Sequence, residues 1–163
     1  TKANADMDLA IDALLQARNL DRIILLTGDG DFIRLVLALQ NMGCRVEVIG
    51  FNNVSHELKE AADSYLSGFL VPGLLPIHSN GGARQRGIPI NYNADRGFGF
   101  MRYYQLSEKG LEPETVFFHC SKSNVVNDQV FLDSANIFEF SIIRNQENEN
   151  RTEAADIIFL DEL

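Results

Sequence analysis

Residues 22–32, RIILLTGDGDF, constrain the fold most strongly: an aliphatic, β-branched segment runs straight into a loop with two aspartates around one glycine. The segment reads as a strand. A helix follows, with Phe32, Leu35, Val36 and Leu39 on one face, Asp31 or its neighbour as cap and Gly43 as left-handed stop. Residues 45–51, RVEVIGF, alternate as a second strand. Two strands joined through one helix must pair in parallel, with a right-handed crossover. Residues 6–19 predict a preceding amphipathic helix, capped by Asp6, with Met7, Ile11, Leu14 and Leu15 at helical spacing. Residues 55–67 predict a third helix, with Ser55 as N-cap and Leu58, Ala62 and Tyr65 on one side. The unit is α/β with a parallel sheet. In such sheets ligands bind outside the carboxyl ends of the strands, where Gly28 to Asp31 fall.

From Phe69 the texture changes. LVPGLLPIHSNGGARQRG loses all periodicity, and residues 71–86 read as a linker. Beyond it, alternating segments at 88–92, 97–104, 115–120, 137–143 and 155–160 predict five short strands and a small all-β barrel. NQENEN, residues 145–150, reads as a polar hairpin loop. The expected division is an α/β unit at 1–70, a linker at 71–86 and a barrel at 87–163.

Composition narrows the classes. With 163 residues, 45% of them hydrophobic, the chain can bury a core. Its apolar runs fall short of the ~20 residues of a spanning helix, so no membrane partner is expected. There is no leader pattern and no initiator methionine, and the chain reads as a piece of something longer. Cys44 and Cys120 read as buried free thiols of a reducing cytoplasm, and the three histidines are too scattered for a zinc site. The net charge of −9 argues against a nucleic-acid partner in bulk. Residues 71–122, however, hold 6 basic against 4 acidic side chains and are the net positive part.

Carboxylates one residue apart repel each other unless water or a cation screens them. Magnesium keeps several waters and needs only one or two carboxylates from such a loop, with Asp6 available as a further ligand. Asp29 and Asp31 are equally suited to be plain turn and N-cap residues, and spacing alone leaves both readings open. A dinucleotide loop lacks its third glycine here, and an EF-hand lacks its ligand series.

The stretches KANADMDLAIDALLQA, DRIILLTGDGDFIRLVLALQNMGCRVEVIGF and SHELKEAADSYL resemble, in that order, the later part of a LabA-like NYN domain, a branch of the PIN-type metal-dependent ribonucleases. Asp6 and Asp12 match its helix-start motif, Thr27 to Phe32 its acidic loop, and Ser55, Leu58 and Asp63 its last helix. The resemblance covers residues 2 to about 70. It implies hydrolysis of RNA phosphodiesters at a Mg²⁺ or Mn²⁺ site, with Asp29 as direct ligand and Asp31 and Asp6 as direct or water-mediated ligands. The family's opening strand, which ends in an aspartate, has no counterpart after Thr1. A degenerate nuclease half that only binds RNA is therefore the alternative. A Toprim-like unit would need a glutamate on an earlier strand.

In GIPINYNADRGFGFMR, residues 87–102, Phe98 and Phe100 share one strand face while Gly97 and Gly99 leave the backbone bare. Such a face suits base stacking; a core strand with a bulge or barrel corner would carry the same pattern. Asn93 to Met101 and Thr115 to His119 resemble the two nucleic-acid motifs of the cold-shock domain, an OB-type barrel. By that resemblance Phe98, Phe100, Phe117 and His119 stack on bases, Arg96 contacts phosphate or base, and Tyr92 occupies an aromatic position. Asn91 replaces the family's tryptophan. The whole implies a cytoplasmic RNA-processing enzyme that binds single-stranded RNA, with single-stranded DNA and homo-oligomer formation as further expectations.

Overall fold

The computed structural model describes residues 2–75, 84–144 and 151–160. The chain divides into two compact units, Thr1–Gly68 and Phe69–Leu163. In the first, α1 (Lys2–Gln16), β1 (Arg22–Leu26), α2 (Ile33–Asn41), β2 (Arg45–Gly50), α3 (His56–Ala61) and β3 (Ser64–Ser67) follow one another. The strands form a three-stranded parallel sheet in the order β1-β2-β3. Leu25, Val46 and Val48 pack against Leu35, Val36 and Leu39 of α2 and Leu58 of α3. Each such side chain, fully buried, contributes roughly 1.5–3 kcal/mol.

Three expectations for this unit are corrected. α1 begins at Lys2, so Asp6 lies inside the helix and does not cap it. The core takes Ala10 and Ala13 of α1 and Ala17 of the 3-10 turn after it, while Met7, Ile11, Leu14 and Leu15 are exposed. Small side chains are what let α1 come close to its neighbours. The third helix stops at Ala61, and Tyr65 lies on a strand. Ala62 is extended, and Asp63 takes the Val46 N–H on its carboxylate at 2.7 Å while donating its own N–H to Val46 O. That exchange ends the helix and starts β3 alongside β2.

The second unit holds β4 (Arg84–Asn93), β5 (Phe98–Ser107), β6 (Gly110–His119), β7 (Ile137–Arg144) and β8 (Thr152–Leu160). They close into a barrel in the order β4-β5-β6-β8-β7, which is the strand order of an OB-type fold. Each strand overlaps a segment where alternation predicts one, with β4, β6 and β8 starting earlier than expected. β4 starts three residues inside the expected linker, because Arg84 and Arg86 pair with Glu139, buried on β7. The rest of that stretch, at 76–83, and the NQENEN loop lie outside the described residues. Met101, Phe118, Phe131, Phe138, Phe140 and Ile157 fill the interior. No helix among the described residues is long and apolar enough to cross a membrane.

Candidate functional site

At the carboxyl ends of β1 and β2 their two following loops close on each other. Thr27 N–H continues the ladder to Ile49 O, and Ser55 N–H donates to Gly28 O at 3.0 Å. The approach is close: a Cβ on Gly30 would sit 3.1 Å from Ser55 Oγ. The result is a recess of about 530 Å³ lined by Asp6, Asp29, Thr27, Asn52, Asn53 and Ser55, with Gly28, Gly30 and Phe32. Asp29 N–H donates to Thr27 Oγ1, and Asp29 Oδ1 accepts the Asp31 N–H at 3.0 Å, capping the turn that opens α2. Ser55 Oγ accepts Leu58 N–H to cap α3 and donates to Glu57. That last bond is the main cause holding the Glu57 carboxyl below its ordinary range.

Asp6 and Asp29 thus share one recess, Asp31 is exposed outside its lining, and Asp12 is exposed on α1. Among the described residues no three His, Cys, Asp or Glu side chains gather as a metal-binding group. Asp6 and Asp29 are the carboxylates that would be available in the recess to magnesium or manganese, which needs only one or two from such a loop and keeps several waters. Asn52 and Asn53 were not foreseen: they lie after β2, and nothing short of the parallel pairing, which sets that loop beside the acidic one, could have pointed to them. Asn53 holds a left-handed backbone, φ 54°, which asparagine tolerates.

On the barrel, Phe98, Phe100 and Arg102 alternate along the outer face of β5, opposite His119, Phe117 and Thr115 of β6. Phe117 lies 5.9 Å from Phe98 and 5.8 Å from Phe100 between ring centroids. The Arg96 guanidinium sits over the Phe98 ring at 5.0 Å. Behind the rings there is no room for side chains. A Cβ on Gly99 would overlap Asn91 O and approach Phe118, and one on Gly97, where φ is 67°, would lie 2.8 Å from Cys120 Sγ. His119 Nδ1 accepts the Ser121 N–H at 3.2 Å. Arg102 was missed, although its even spacing from Phe98 and Phe100 marks it.

Tyr92 is not on this face. The pairing of β4 with β5 slips between Pro89 and Asn91, a bulge that sets Asn91 opposite Phe100 and Tyr92 opposite Gly99. The extra residue inverts the alternation and turns Tyr92 inward. Its ring stacks on Phe118 at 5.8 Å, and its hydroxyl donates to Asp128 at 2.7 Å. Burial, then that bond, pushes its phenol far above the ordinary value. Asn91 Oδ1 meanwhile accepts the Phe100 N–H at the bulge.

Compared with known families, the chain matches the NYN domain over residues 1–74. The first unit falls within that match. The low amplitude and bright protein LabA of Synechococcus elongatus is 32% identical over 66 residues, 40% of this chain and 36% of that relative. The chain therefore spans about a third of its curated relative. A crystal structure of a protein of unknown function from Vibrio parahaemolyticus is 36% identical and covers 38% of this chain and 40% of its own, with a TM-score of 0.37.

Proposed function

We propose that the protein processes RNA: the NYN domain hydrolyses phosphodiesters at the Asp6–Asp29 recess, and the barrel holds single-stranded RNA on Phe98, Phe100, Phe117 and His119. The observation that carries this is the placement of Asp6 and Asp29 in one recess at the carboxyl ends of β1 and β2. A bound Mg²⁺ or Mn²⁺ would supply phosphate polarisation and a more acidic water. Asp29 and Asp6 would hold it there, and Thr27, through the Asp29 N–H, fixes the loop that carries the carboxylate. The aromatic face supports RNA as substrate because flat rings accept any base, and Arg96 and Arg102 stand beside them for phosphate. A second reading, an RNA-binding regulator without cleavage, is favoured by the position of Asp31 outside the recess. Incubation of the protein with end-labelled single-stranded RNA and Mn²⁺ separates the two. Cleavage that disappears in Asp29→Asn is the expected result; tight binding with intact RNA would leave the regulator.

A further inference from the structure

Outside the recess and the aromatic face, the barrel carries a third concavity. A groove of about 790 Å³ lies between the segment that follows β6 and the strands β7 and β8. Its size falls within the roughly 300–1,000 Å³ of pockets that take small ligands. Ile143, Ala155 and Ile158 give it apolar lining, and Ser123, Asn124 and Asp156 give it polar groups. An apolar bed with a few hydrogen-bonding groups suits a nucleobase, which has a π-face and a donor and acceptor edge.

Two contacts link residues of the aromatic face to residues that line the groove. Phe117 pairs in register with Glu153 at the start of β8, and Glu153 is bridged at 2.7 Å by Lys122, which lines the groove. His119 on the face is tied through Nδ1 to Ser121, 2.8 Å away, and Ser121 also lines the groove. His119 and the groove are thus two residues apart along the chain at Ser121. Asp156 stands there on a left-handed backbone, φ 50°, and its carbonyl accepts from Arg84 at 2.6 Å. That bond fixes the Asp156 backbone in the groove wall. We infer that this groove receives one further nucleobase of the RNA held on the barrel, and that Asn124 and Asp156 contact its hydrogen-bonding edge.

The inference rests on the RNA reading of the aromatic face, and an abasic scan distinguishes the two. The probe is a fluorescent single-stranded octaribonucleotide in which one base-less ribose is moved along the chain, with binding to the whole protein measured at each position. The wild type should lose about tenfold in affinity at each base it stacks or pockets. Asn124→Ala with Asp156→Gly should abolish the loss at one position only, and Phe98→Ala should abolish it at another. Glycine at 156 adopts φ 50° without strain and removes the side-chain oxygen. An unchanged affinity and abasic profile in Asn124→Ala with Asp156→Gly, with Phe98→Ala still weakened, would overturn the groove and leave the face. No binding by the wild type removes the face and the groove together.

Discussion

Asp29 accepts the Asp31 N–H with one carboxylate oxygen and lines the recess that it shares with Asp6. A cap and a cation ligand make different demands: the first needs any oxygen acceptor, the second a negative charge. Asparagine caps as well as aspartate does, whereas alanine does not. Asp29→Asn should therefore keep the wild-type denaturant midpoint and lose Mn²⁺-dependent cleavage. Asp29→Ala should lose cleavage and also about 1 kcal/mol of stability in urea titration. Equal destabilisation by both would mean that the charge itself holds the loop. The aspartate was legible in the sequence because glycines flank it at the end of an obvious strand. Tyr92 was not legible in the same way. Its parity depends on one extra residue at the Pro89–Asn91 slip, and no alternation count sees a bulge that the pairing partner creates.

At the scale of elements, periodicity located the five barrel strands and α2, because each repeats an apolar residue against one core; it located α1 by an apolar repeat that is exposed. It failed where an element is ended by a distant group. α3 stops at Ala61 because the Asp63 carboxylate engages the Val46 N–H, 17 positions away in the chain. That hydrogen bond, with Gln40 next, holds the Asp63 pKa below its ordinary 3.8. A carboxyl whose folded pKa is depressed stabilises the fold above its unfolded pKa and loses that contribution as pH falls through the folded value. Asp63→Asn keeps an oxygen for Val46 but does not titrate. The stability difference between wild type and Asp63→Asn should thus be constant near neutrality and change only below about pH 4, in favour of the variant, as the aspartate takes up its proton. Urea midpoints measured from pH 7 down to pH 3 give the comparison. A difference that shifts between pH 5 and 7 would assign the dependence to another group.

For the whole molecule, a net charge of −9 means that RNA affinity cannot come from bulk attraction. It has to come from stacking, with Arg96 and Arg102 as local cations beside the rings. Two phosphate contacts on a single strand give a salt slope of only about −1.4. On the proposed function the barrel would bind through rings that lie apart in sequence from the carboxylates. Such binding is the same before and during bond cleavage. Interactions of that uniform kind set KM and leave kcat alone. Phe117→Ala removes the ring that joins Phe98 to Phe100, and the loss of one stacked base is worth roughly 1–3 kcal/mol. Steady-state cleavage of a labelled RNA should show KM raised by about tenfold with kcat within a factor of two of wild type. A fall in kcat with KM unchanged would instead place the barrel rings among the groups that act on the transition state. The proposed division of labour between the two units would then be lost, because the rings would belong to the reacting site.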